Sequence, residues 1–170
     1  MNDERLVIGL TGMPGSGKSL VVEVAQHQDY EVVTMGDVIR AETAKLGLEP
    51  TPTNVGKVML ELRKNGGKGV IAEKCVLKIL KKNSQKVIVD GLRSFIEAEV
   101  FKKNFPNFIL VTVHASPQTR FERLSTRRRS DDPKDWAVFH ERDLRELGVG
   151  IGNAIALSAR HVDGWLPLPV

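Results

Sequence analysis

The run Gly12-Met13-Pro14-Gly15-Ser16-Gly17-Lys18-Ser19 sets glycines, a lysine and a serine at the G-x-x-x-x-G-K-S spacing, which suits a polyphosphate. Gly12, Gly15 and Gly17 let the backbone curl until several N–H groups point into one concavity. The positive end of a following helix dipole adds to that cradle. Lys18 is expected to reach β- and γ-phosphates, and the Ser19 hydroxyl to ligate Mg²⁺. A tight strand-to-helix turn would also use glycines, but it would leave Lys18 and Ser19 as coincidences.

Two further stretches hold reactive side chains. Asp90 closes the apolar run Lys86-Val87-Ile88-Val89 and could hold Mg²⁺ directly or through water. The plainer reading of Asp90-Gly91 is a turn. In Gly36-Asp37-Val38-Ile39-Arg40, Asp37 and Arg40 lie one helical turn apart and share a face. Here the plainer reading makes Asp37 an N-cap and Arg40 a solvated charge, which gives no reason for arginine. His114 and His140 lack metal-ligand spacing and read as structural. Trp136 and Phe139, at helical spacing, read as core.

The elements that must carry these residues alternate. Residues 5–10 read as a buried strand, 18–27 as a helix and 31–34 as a second strand. A helix then runs from about Asp37 to Leu46 and stops at Gly47. Thr53 can cap the next helix, which ends near Gly66-Gly67, and 69–82 reads as a basic amphipathic helix. The third strand is 86–90. Ser94 can cap a helix to about Phe105 with Phe95, Ala98 and Phe101 on one face. Phe108 to Val113 is the fourth strand, and Pro117 opens a helix to about Thr126. After Arg127-Arg128-Arg129, Asp132-Pro133 reads as the cap and first turn of a helix to Leu147. A short helix over 153–159 and a last strand near Arg160-His161-Val162 complete the pattern. Such alternation implies an α/β fold, a mostly parallel sheet of four or five strands with helices on both faces. Ligands of such sheets lie beyond the carboxyl ends of the strands, where Lys18, Asp37, Asp90 and Arg93 fall.

Bulk properties agree. The 170 residues suffice for a single domain, 1–170, with a sizeable core. A net charge of +4 fits polyphosphate ligands and also permits RNA. The single cysteine, Cys75, excludes an intrachain disulfide or a cysteine-based metal site, and its apolar surroundings suggest an inert core thiol. The N-terminal residues lack the basic start of a signal peptide, and no run approaches a membrane span of ~20 apolar residues. A soluble, cytoplasmic protein is the expectation.

Motif by motif, the chain resembles P-loop nucleoside-monophosphate kinases such as adenylate kinase. Gly36-Asp37-x-x-Arg40 resembles their acceptor-site motif. Asp90-Gly91-Leu92-Arg93 is similar to their Asp-Gly-x-Pro-Arg element, one residue shorter and without the proline. Arg123-Leu124-Ser125-Thr126-Arg127-Arg128 looks like the start of their mobile lid, and Arg129-Ser130-Asp131-Asp132 followed by Arg142 like its far side, at slightly longer spacing. The resemblance runs from Val7 to about Leu147. It is nearest to an archaeal group related to adenylate kinase and dephospho-CoA kinase, the latter suggested by Ile8-Gly9-Leu10-Thr11-Gly12. The terminal Trp165-Leu166-Pro167-Leu168-Pro169-Val170 does not match a closing strand and helix.

The resemblance implies a three-layer P-loop NTPase fold with an acceptor-site insertion at about 36–67 and a short arginine-rich lid at about 127–134. It implies ATP and Mg²⁺ as cofactors. Gly12 to Ser19 with Arg123 and Arg127 would bind ATP. Gly36, Asp37, Arg40 and Arg93 would bind the acceptor. Ser19 and Asp90 would hold the metal, and Lys18, Arg93, Arg127 and Arg142 would act in transfer. Arginine suits this work because its planar fork contacts phosphate bidentately. The expected activity is a Mg²⁺- and ATP-dependent kinase of AMP or another nucleoside monophosphate. Two alternatives stand beside it. A hydroxyl acceptor such as dephospho-CoA would want a base, a role Asp37 could take. An ATPase or nucleotide-sensing switch working with RNA or a protein complex would use Lys74, Lys78, Lys81, Lys82 and the arginine triplet.

Overall fold

Runs of apolar, mostly β-branched residues build the centre of the fold, because each can bury side chains on both faces of a strand. The computed structural model describes residues 4–127 and 132–163. Arg128, Arg129, Ser130, Asp131 and the segment 164–170 lie outside the described residues, and so do the expectations placed on them. The strands are β1 (Leu6–Thr11), β2 (Glu31–Thr34), β3 (Lys86–Leu92), β4 (Phe108–His114) and β5 (Arg160–Asp163). The helices are α1 (Lys18–His27), α2 (Met35–Lys45), α3 (Pro52–Gly66), α4 (Val70–Leu80), α5 (Phe95–Asn104), α6 (Pro117–Arg127), α7 (Trp136–Val149) and α8 (Ile151–Ala156).

The strands form one five-stranded sheet in the order β2-β3-β1-β4-β5, and every pairing is parallel. Alternation along each strand divides the core in two. Val7, Val87, Val89 and Leu110 join a cluster with Met35, Val38, Ile71, Cys75, Ile79, Ala98 and Phe101 from α2, α4 and α5. Leu10, Ile88 and Val113 point the other way, onto Val21, Val22 and Ala25 of α1. Cys75 is fully buried, and burial pushes its thiol up to about 12, which makes it inert. No helix among the described residues is long and apolar enough to cross a membrane.

Several boundaries differ from the sequence expectation for local reasons. α2 begins at Met35, with Thr34 at the N-cap position but making no side-chain cap hydrogen bond, so Asp37 sits in the first turn instead of at the cap. α3 begins at Pro52, because Thr51 accepts the Asn54 N–H and proline fits the first helical position. β3 does not turn at Asp90-Gly91. It runs on to Leu92, and the register against β1 steps from Leu10↔Asp90 to Thr11↔Leu92, leaving Gly91 as a bulge at φ 99°. α7 starts at Trp136, not at Pro133. Asp132 is bound by Arg127, and Asp135 takes the cap role by accepting the Val138 N–H at 2.9 Å. Trp136 is 46% exposed, so it is not core, although its ring lies against Phe121 and Phe139. α8 starts two residues earlier than expected, after Gly150 at φ 107°.

Candidate active site

The Gly12–Ser19 loop leaves the carboxyl end of β1 and enters α1, whose first turn holds no acidic residue and whose N-cap, Gly17, offers no side chain. No side chain of the loop caps the helix start, although the Ser16 and Leu20 N–H groups bond to the Met13 and Gly17 carbonyls, each at 3.1 Å. Two glycines are required by their surroundings. A Cβ on Gly12 (φ 142°) would lie 2.3 Å from the Val113 carbonyl oxygen, and one on Gly15 (φ 80°) 2.8 Å from that of Arg120. The loop is pressed between β4 and α6 with no room for side chains at these points.

The loop forms one end of a cleft of about 650 Å³ at the carboxyl edge of the sheet. Lys18 reaches back over it, donating to the carbonyls of Gly12 (2.5 Å) and Met13 (3.2 Å). Burial pulls the Lys18 ammonium down to about 8, partly countered by the Asp90 carboxylate. Burial likewise raises Asp90 above its ordinary value, with Lys18 and then Arg93 acting against the rise. Asp90 Oδ1 and Ser16 Oγ are buried without a hydrogen-bond partner among the described residues. An orphaned carboxylate oxygen beside a phosphate cradle fits a hard cation or its water. Ser19, exposed at the same mouth, offers a second oxygen.

Of the residues read from the sequence, Gly12, Pro14, Gly15, Ser16, Gly17, Lys18, Ser19, Gly36, Arg40, Asp90, Arg93, Arg123, Arg127 and Arg142 all line this cleft. Met13 and Asp37 do not. Met13 contributes its carbonyl to Lys18. Asp37 is exposed and holds Arg40 in an ion pair, with Arg40 Nε 3.1 Å from Asp37 Oδ1. Arg123 donates to the Ser16 carbonyl at 3.0 Å. Arg93 lies 3.3 Å from Glu146 of α7.

The structure also brings in residues that sequence reading passed over. Arg120 is 4% exposed, pairs bidentately with Asp143 of α7 at 2.8 and 2.5 Å, and donates to the Pro14 carbonyl at 3.3 Å. Glu97 is fully buried. One oxygen accepts from Arg63 of α3 at 2.9 Å, and the other accepts the N–H groups of Arg93 (2.8 Å) and Ser94 (3.2 Å). Glu97 and Ser94 thereby make a capping box that fixes the turn bearing Arg93. Ser94-x-x-Glu97 is readable as such in sequence, but the partner Arg63 is not. The lysines of α4 and of the turn after it are partly paired within the molecule, with Lys74 held by Glu42 and Lys82 by Glu31.

A family model described as an AAA domain matches residues 11–139. The UPF0200 protein of Methanocaldococcus jannaschii is 51% identical over 156 residues, covering 90% of this chain and 78% of its own. Shikimate kinase from Bacteroides thetaiotaomicron superposes with a TM-score of 0.62 at 15% identity, over 94% of this chain and 86% of that one. A gluconokinase from Sinorhizobium meliloti gives 0.53 at 17% identity, over 99% and 87%. At such identities the structural likeness speaks for a P-loop kinase-like fold alone.

Proposed function

This chain belongs to the AAA domain family and to the UPF0200 family, and we propose that it is a Mg²⁺- and ATP-dependent kinase of a small phosphorylated acceptor, most simply AMP or another nucleoside monophosphate. The observation that carries this reading is the convergence of Lys18 from α1, Arg40 from α2, Arg93 from the turn after β3, Arg123 and Arg127 from α6 and Arg142 from α7 on one cleft beside the phosphate loop. Phosphoryl transfer needs positioning and charge neutralisation more than covalent help from protein. An acceptor phosphate is already ionised, so a site of cations needs no general base.

In this reading the loop backbone and Lys18 hold the donor phosphates, with Arg123 and Arg127 on the lid side. Arg40 and Arg93 grip the acceptor, next to Gly36, and Arg142 neutralises charge between the two. Lys18 must leave the Gly12 and Met13 carbonyls to do this, and a phosphate oxygen is the better acceptor. Ser19 and Asp90 would hold Mg²⁺, which neutralises charge on the donor phosphates when bound. Helix α2 carries Gly36 and Arg40, and the turn after β3 carries Arg93.

A second reading, a hydroxyl acceptor with Asp37 as base, draws on one observation: Asp37 pairs with Arg40, and Arg40 lines the cleft. The kinases of similar fold named above agree with it as analogues only. The test is incubation with Mg²⁺-ATP and a panel of AMP, other nucleoside monophosphates, dephospho-CoA, shikimate and gluconate. A phosphorylated nucleoside monophosphate supports the first reading; a product only from a hydroxyl compound supports the second.

A further inference from the structure

Among the described residues, three carboxylates line the cleft: Asp90, Glu97 and Glu146. Glu97 is committed to Arg63 and to the start of α5. Asp90 Oδ1 has no hydrogen-bond partner among the described residues. Glu146 differs from both. Its side chain is 14% exposed, it reaches in from α7, and its carboxylate stands 3.3 Å from the Arg93 guanidinium. It is also close enough to Lys18 to act on that ammonium. Arg142 lies one turn earlier on the same helix and lines the same cleft. A negative charge thus sits among Lys18, Arg93 and Arg142, where an anionic ligand would be drawn.

We propose that Glu146 is an internal stand-in for the acceptor's anion: it holds Arg93 until an incoming phosphate displaces it, and so sets how strongly the site selects an anionic acceptor. This deepens the kinase reading and rests on Arg93 as an anion-binding residue. The exchange is one ion pair for another, with no bond made or broken. Arg93 is 47% exposed on its side chain, so the guanidinium can reach a ligand from its present position. The Arg93 N–H stays bound to Glu97 throughout, which keeps the arginine's base fixed while its head changes partner. Competition also confers specificity. A neutral acceptor cannot compete with a carboxylate for a guanidinium, whereas a phosphate dianion can.

The test is calorimetric titration of inorganic phosphate into the full chain, with excess Mg²⁺-ADP present to fill the donor side. Glu146→Gln should bind phosphate about fivefold more tightly than the wild type, the range of a partly exposed ion pair. Glu146→Ala should show the same gain, Glu146→Asp little of it, and Glu146→Gln combined with Arg93→Gln none. Equal affinity in the wild type, Glu146→Gln and Glu146→Ala overturns the proposal, as does a gain that persists without Arg93. So does an absence of phosphate binding in all of them. Because the titration needs no transfer, a silent acceptor panel would dismiss the kinase reading without deciding this one.

Discussion

Lys18 and Asp90 both carry charge where burial opposes it, and each opposition has a measurable consequence. For Lys18 the folded value is about 8 against an ordinary 10.5, so between these the unfolded chain binds more protons. Stability of the ligand-free protein should therefore rise with pH across that window, the full cost being present below it. A polyphosphate beside Lys18 favours the ammonium and reverses the shift. Nucleotide binding near pH 8.5 should thus take up protons, seen as a dependence of calorimetric heat on buffer ionisation enthalpy and lost in Lys18→Ala. For Asp90 the raised value means that the ionised carboxylate costs stability above its ordinary range. Asp90→Asn should raise the melting temperature at pH 7 while cutting Mg²⁺-ATP-dependent turnover by about 10²-fold. A variant that is stabilised and fully active would remove Asp90 from the metal site.

Helices α6 and α7 act as a clamp on the phosphate loop. Arg120 and Arg123, one turn apart on α6, take the carbonyls of Pro14 and Ser16, and Asp143 of α7 holds Arg120 in place, with the Phe139 ring 4.9 Å beneath the guanidinium. Asp143→Ala strands a buried guanidinium and should cost about 3 kcal/mol in urea unfolding. A loss below about 0.5 kcal/mol, the scale of a surface substitution, would mean that the pair does not brace the loop. The sequence makes the loop legible because its function is written in local spacing. Strand–helix alternation was legible for the same reason, and it gave the sheet its parallel sense. The clamp was not, since Arg120–Asp143, Arg63–Glu97 and Arg93–Glu146 join residues far apart in the chain, and nothing near any one of them marks the other. The start of α7 shows the same limit at short range. Asp132 and Asp135 are equal candidates for a cap until Arg127 engages Asp132.

Across the whole molecule, the strand order β2-β3-β1-β4-β5 brings the carboxyl ends of β1, β2 and β3 together, so that the loop after β1, α2 after β2 and the Arg93 turn after β3 share one cleft. The sheet thereby gathers the phosphate loop, Arg40 and Arg93 at one edge. In the proposed reading the loop is the donor end and the two arginines the acceptor end, an arrangement that transfer requires and simple hydrolysis does not. Part of the chain's positive charge is already paired, since Lys74 of α4 and Lys82 just beyond it face carboxylates, which weakens the case for this stretch as an RNA-binding face. In the proposed kinase the two ends of the cleft work on two substrates. The most direct test is the amount of phosphorylated acceptor formed per ATP consumed with AMP present. A kinase of a nucleoside monophosphate predicts a ratio close to one, with little ATP consumed when AMP is left out. ATP consumed at the same rate with and without AMP, releasing phosphate and forming no ADP from AMP, would contradict it.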